Sequence, residues 1–212
     1  MPKNKKHEHY YTKSPKSEIK FKMIQYTIFN RAYTFRTATG VFSYKRVDKG
    51  TEILLKNMIL PDIVEPKILD LGCGYGIIGI VIADLIPTAK VYMVDINNRA
   101  INLCKKNVTL NNSDNVILRS GDLFQPFNEQ FDLIITNPPI ALGKEILHKI
   151  FKNSFLNLKV GGSFQTVIRT KQGAKSAVNK IKQIFGDNNV ELLNIKSGYR
   201  VFKACKTKDI KI

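Results

Sequence analysis

Apolar and polar positions change period repeatedly along the chain, and each change marks an element. From residue 67 onward, short runs rich in branched apolar residues at 67–71, 90–95, 115–120, 131–136 and 162–168 read as strands. Stretches of helical period lie between them. The run 77–86 is almost wholly apolar and predicts a buried helix. A helix over 98–110 places Ile101, Cys104 and Val108 on one face, with Arg99, Asn102, Lys105 and Lys106 opposite. Helices over 144–158 and 174–185 bury Ile146, Leu147, Ile150 and Phe151, and Ala177, Val178, Ile181 and Phe185. Strands alternating with helices define an α/β domain with a doubly wound, mostly parallel sheet. The last two strands, 190–195 and 199–205, meet at Ser197-Gly198 and form an antiparallel hairpin.

The chain ahead of residue 61 follows another pattern. Residues 1–16 are polar and basic, a loose tail. Residues 17–60 form a β-rich extension: 19–39 is dense in β-branched and aromatic residues and alternates through Ile19-Lys20-Phe21-Lys22-Met23. Asp48-Lys49-Gly50 reads as a turn, after which Thr51 caps a short helix over 52–58. Residues 61–212 make up the main domain, and aromatics of the extension are placed to roof its pocket.

That pocket is predicted by Gly72, Gly74 and Gly76, which turn the chain between strand 67–71 and helix 77–86. A glycine turn at a strand end lets a ligand approach backbone N–H groups and a helix N-terminus, because no Cβ holds it off. Two ligands compete. Gly74, Gly76 and Gly79 satisfy the G-x-G-x-x-G spacing of dinucleotide sites, with Asp95 at the distance of a ribose-binding acid. Asp70 decides against that reading, since a carboxylate at the strand end opposes a diphosphate. S-adenosylmethionine carries an ammonium and a sulfonium instead, and tolerates an acid there.

The chain resembles the class I S-adenosylmethionine-dependent methyltransferases at four motifs in order. These are Asp70-Leu71-Gly72-Cys73-Gly74-Tyr75-Gly76, Val94-Asp95-Ile96, Gly121-Asp122-Leu123 and Asn137-Pro138-Pro139-Ile140. The resemblance implies a Rossmann-like methyltransferase sheet closed by an antiparallel strand, which the C-terminal hairpin supplies. It implies that Asp70 faces the methionine ammonium, directly or through water, and that Asp95 accepts both ribose hydroxyls. Asp122 would accept the adenine amino group while Ile96 and Leu123 pack against the ring. A helix cap is the alternative role for a strand-end acid such as Asp95.

Asn137, Pro138, Pro139 and Ile140 resemble the N-P-P-x signature of enzymes that methylate planar nitrogen, and Asn137 belongs to both the catalytic and the cofactor sets. An exocyclic amine is a poor nucleophile, because its lone pair is delocalised into the ring. The Asn137 side-chain oxygen and the Pro138 carbonyl can accept its two N–H groups and favour the charge that develops on nitrogen. The prolines hold those acceptors in place.

Composition bears on the partner. With 43% hydrophobic and 24% charged residues and no run of the roughly eighteen apolar residues a membrane span needs, a cytoplasmic protein with no membrane contact is expected. Cys73, Cys104 and Cys205 are too scattered for a disulfide framework or zinc cluster, and His7, His9 and His148 lack ligand spacing, so no metal is expected. The net charge of +17 is uneven: residues 1–60 carry +9, residues 61–143 carry −3 and residues 144–212 carry +11. Basic flanks around an acidic cofactor core suit RNA as partner.

Gly40-Val41-Phe42-Ser43, the run 170–175 and Gly198-Tyr199-Arg200-Val201 narrow the resemblance to methyltransferases related to the small-subunit ribosomal RNA guanine 2-amino enzymes, in the compact, single-domain archaeal form. It implies ribosomal RNA, or the small-subunit particle, as substrate. Two departures stand out: the additional N-terminal methyltransferase-like domain of bacterial enzymes has no counterpart in these 212 residues, and Ile140 stands where many relatives have Phe or Tyr. Stacking is then expected from Phe42, Tyr44 or Tyr199, and phosphate contacts from Lys144, Lys171 and Arg200. Methylation of another base, of tRNA or of a protein glutamine amide is the alternative, with a non-enzymatic RNA-binding module opposed by the intact motifs.

Overall fold

The structure is a computed structural model and describes residues 12–139 and 143–208. Strands β1 (Phe21–Ile28) and β2 (Arg31–Ala38) form an antiparallel hairpin, followed by helix α1 (Lys49–Asn57). The main domain then runs β3 (Lys67–Leu71), α2 (Ile77–Leu85), β4 (Lys90–Asp95), α3 (Asn98–Leu110), β5 (Val116–Ser120) and β6 (Phe131–Thr136). It ends with α4 (Lys144–Asn157), β7 (Leu158–Arg169), α5 (Ala174–Phe185), β8 (Val190–Lys196) and β9 (Tyr199–Cys205). The seven-stranded sheet has the order β5-β4-β3-β6-β7-β9-β8, parallel up to β7 and antiparallel through β9 and β8. The strand order reverses between β3 and β6, the switch point where such sheets bind ligands.

Both faces of the sheet are covered, which explains why its strands read as continuous apolar runs. Along β3, Ile68 packs into a layer with Ile53 and Leu54 of α1, Ile80 of α2 and Phe35 of β2. Its neighbour Leu69 faces the other layer, with Phe151 and Phe155 of α4 and Ile181 of α5. Among the described residues no helix is long and apolar enough to cross a membrane.

Three local expectations are corrected. Thr51 does not cap α1: Asp48 does, its carboxylate accepting the Thr51 N–H at 3.0 Å, so the helix starts at Lys49. β7 begins at Leu158 rather than 162, because α4 passes directly into extended backbone and a register shift between Phe131 and Leu133 absorbs the extra residues. The buried face of α3 is centred on Ala100, Leu103, Cys104 and Asn107, leaving Ile101 and Val108 at its margin.

Asn107 turns inward because it serves as a strand substitute. Its Oδ1 accepts the Arg36 N–H at 2.7 Å, and its Nδ2 donates to the carbonyls of Arg36 and Tyr75. One turn later Asn111 repeats the pattern on Thr34, at 3.1 and 2.9 Å. Two amides four residues apart thus satisfy the outer edge of β2 and fasten the extension to α3 beside the glycine turn.

Candidate active site

The C-terminal ends of β3, β4 and β6 open into a cavity of about 530 Å³. Gly72 of the glycine turn lines its floor, and Gly74 does not. Gly72 and Gly74 have φ of 74° and 56°, in the left-handed region that glycine alone enters without penalty, and a Cβ on either would meet no atom within 4 Å. The backbone therefore faces open space, as a cradle must.

Asp95 ends β4 and holds that turn. Its Oδ2 accepts the Gly74 N–H at 2.9 Å and its Oδ1 accepts the Asn97 N–H at 2.8 Å. Burial raises its pKa, and the N–H groups of Asn97, Gly74 and Ile96 oppose the rise. The cap of α3 is Asn97, whose side chain accepts from Arg99 and Ala100. Asp95, Ile96, Asp122 and Leu123 all line the cavity. Asp122 is half-exposed and 3.9 Å from the Lys149 ammonium, while Leu123 holds a φ of 51°, uncommon for a residue with a side chain.

Asp70 lies behind this surface and does not line it. It is 1% exposed; Oδ2 accepts the Gly79 N–H in the first turn of α2 at 2.9 Å, and Oδ1 has no hydrogen-bond partner. Burial, reinforced by nearby Asp95 and opposed by the Gly79 N–H, pushes its carboxyl up to about 7. Gly76 likewise sits behind the cavity wall, at the N-cap of α2.

The opposite end is built by the loop after β6. Thr136 anchors it, donating its hydroxyl to the Leu71 carbonyl at 2.7 Å. Asn137, Pro138 and Pro139 follow and line the cavity; Ile140 lies outside the described residues. The Asn137 amide donates from Nδ2 to Asp48 Oδ2 and to Thr51 Oγ1, both at 2.9 Å, and its Oδ1 has no hydrogen-bond partner among the described residues.

Phe42 and Tyr199 line the same end, beside Asp48, Arg169 and Gln172. The Arg169 guanidinium stands 5.7 Å from the Tyr199 ring centroid, a cation–π arrangement. The other substrate candidates do not reach the cavity. Tyr44 lies beneath the Lys45 ammonium, and Lys144 is exposed at the start of α4. Lys171 is exposed in the 3-10 turn Thr170–Gln172, while Arg169 before the turn and Gln172 at its end line the cavity. Arg200 is half-buried beside Tyr199 in β9, and strand alternation turns it to the opposite face of the sheet.

Sequence reasoning missed Asp48, Thr51, Arg169 and Gln172. Asp48 carried a signal, the D-x-x-T spacing of a helix start, but nothing local tied it to Asn137. Arg169 was one more basic residue in a basic segment. Among the described residues no group of three or more His, Cys, Asp or Glu could hold a metal ion.

A doubly wound sheet with reversed final strands, a glycine turn after its first strand and acids at the next two strand ends is the Rossmann-like architecture of class I methyltransferases. The chain belongs to the methyltransferase small domain family, whose model matches residues 32–203. It is 38% identical over 201 residues to the protein YbxB of Bacillus subtilis (strain 168), covering 94% of this chain and 98% of that one. To ribosomal RNA small subunit methyltransferase C of Haemophilus influenzae (strain PittEE) it is 36% identical over 116 residues, 55% of this chain and 34% of that one. The fold matches the T. thermophilus 16S rRNA N2 G1207 methyltransferase, solved with AdoMet and guanosine, at a TM-score of 0.75 and 24% identity, over 91% of this chain and 52% of that one. The chain thus spans nearly all of YbxB but only a third to a half of these two ribosomal RNA enzymes.

Proposed function

We propose that the protein transfers a methyl group from S-adenosylmethionine to an exocyclic amine in RNA, the 2-amino group of a guanine in ribosomal RNA. The cavity suits this cofactor. Its glycine end offers an open backbone cradle and two carboxylates, of which Asp122 has the Lys149 ammonium at 3.9 Å, with no basic side chain among the described lining residues there, and the buried Asp70 Oδ1 behind it lacks a partner. A cationic ligand relieves that concentration of negative charge; a diphosphate would add to it. Asp95 lines the cavity and keeps acceptor capacity beyond that used by the N–H groups of the turn, so it can accept from a ribose hydroxyl.

When bound, the cofactor supplies an electrophilic methyl group on sulfur. The protein's own task is to hold the amine. Asn137 carries the reading: its Nδ2 is fixed by Asp48 and Thr51, so its oxygen is the group left to accept an amine N–H, next to the Pro138 carbonyl. Charge that develops on the amine nitrogen strengthens both contacts, the condition for lowering a barrier. Phe42 and Tyr199, which line the cavity, are the aromatic rings available to stack on the base. A base in a duplex cannot reach such a site, so single-stranded or flipped RNA is the substrate form.

The relatives that are ribosomal RNA methyltransferases and the basic segments on either side of the cofactor core support RNA over protein. The test is transfer of labelled methyl from S-adenosylmethionine to ribosomal RNA from cells lacking this gene. Label should enter RNA, and Asn137→Ala should slow it by about 10²-fold, as loss of one preorganised transition-state contact does. Label in a glutamine amide of a release-factor-like protein, with none in RNA, would replace this reading.

A further inference from the structure

An asparagine amide has nearly the same shape in its two flipped orientations, so only its hydrogen-bond partners decide which atom faces the substrate. Asn137 has two such partners. The Thr51 hydroxyl can donate or accept and is satisfied by either orientation. The Asp48 carboxylate can only accept, so the amide group 2.9 Å from its Oδ2 is the NH2. We infer that Asp48, from the N-terminal extension and 89 residues away in sequence, is a positioning residue that sets the orientation of Asn137. The flipped amide would set its oxygen against the carboxylate and present N–H groups to the N–H groups of an incoming amine. Both changes oppose binding and transfer. The inference rests on the reading of Asn137 as the acceptor of the amine.

The arrangement is rigid because Asp48 does two things with one oxygen. Oδ2 also accepts the Thr51 N–H at 3.0 Å and so caps α1. Thr51, the residue whose N–H it caps, is buried and provides the second partner of Asn137. The start of α1 and the catalytic loop are therefore one hydrogen-bonded unit, through which the extension contributes to the reaction.

Asp48→Ser separates the two tasks: its hydroxyl caps helices as well as aspartate does but is too short to hold Asn137, whereas an asparagine would keep in the Oδ2 place an acceptor that serves both. Asp48→Thr is the second variant, capping slightly less well through a hydroxyl of the same short reach. In both, thermal melts should stay near wild type and S-adenosylmethionine binding should be unchanged. In ¹⁵N-labelled protein, the Asn137 side-chain NH2 should be protected from solvent exchange in the wild type and lose about tenfold or more of that protection in either variant. The turnover number on ribosomal RNA should fall by a similar factor in each variant, and neither should slow an Asn137→Ala enzyme further. Wild-type protection of Asn137 in both variants would overturn the inference, as would an equal rate loss in the Asn137→Ala background. The exchange measurement needs no substrate, so loss of protection supports the inference even if RNA accepts no methyl group.

Discussion

Replacing Asp70 with asparagine should stabilise the unliganded protein at alkaline pH and weaken its grip on cofactor. The carboxylate is buried with one oxygen on the Gly79 N–H and the other without a partner, and its pKa is raised from 3.8 to about 7. Between those values the native protein keeps a proton that the unfolded chain has lost, so stability falls as pH rises through this window and the penalty is complete above it. Integrated, the penalty is roughly 4 kcal/mol at pH 8 and under about 2 kcal/mol at pH 5. Asparagine removes it but leaves a buried amide N–H group unpaired, at about 1–3 kcal/mol. The variant should therefore gain about 1–3 kcal/mol at pH 8 and gain nothing, or lose slightly, at pH 5. Urea denaturation at both pH values measures this, and calorimetry should show weaker S-adenosylmethionine binding. An equal destabilisation at the two pH values would refute the picture of a charged, uncompensated carboxylate kept for its ligand.

Other consequences can be checked separately. Asp95→Ala removes charge-assisted contacts to the ribose and should weaken S-adenosylmethionine binding by about 2–4 kcal/mol in calorimetry; unchanged affinity would confine Asp95 to holding the glycine turn. A Cβ at Gly50 would lie 2.9 Å from Asp48 Oδ2 and 3.0 Å from Tyr199 Cε1, so Gly50→Ala sets roughly 1 kcal/mol of helix propensity against about 1–3 kcal/mol of overpacking. Turnover on RNA should drop and the melting temperature should not rise; a clear rise would mean that Tyr199 yields without cost. Arg169→Ala should weaken RNA binding and flatten its dependence on salt by about one unit of slope if it contacts a phosphate; an unchanged slope in filter binding would assign it to the base instead.

Most of the sheet was legible because strands buried on both faces appear as uninterrupted apolar runs, and the glycine turn and strand-end acids are local signals. What escaped was non-local. Asp48 and Asn137 share no periodicity, and their contact exists only because the start of α1, which packs on β7 and β9, meets the loop after β6. Asn107 and Asn111 read as polar positions on a helix, although they pair with β2. Charge counting found basic segments on either side of the cofactor core but could not choose among their members. Strand alternation turns Arg200 away from the cavity, while the 3-10 turn after β7 offers Arg169 and Gln172 rather than Lys171. By resemblance, Asp70 reads as facing the methionine ammonium, yet it lies behind the turn, where its carboxylate accepts the Gly79 N–H of α2.

The central claim is that this cavity methylates the 2-amino group of a guanine in RNA. Ribosomal RNA from a strain lacking the gene, incubated with the protein and S-adenosylmethionine and digested to nucleosides, tests it by mass spectrometry. The account predicts one additional N2-methylguanosine per target RNA, absent with the Asn137→Ala enzyme. Methyl groups on another nucleoside, or none on RNA under conditions where S-adenosylmethionine binds, would contradict it.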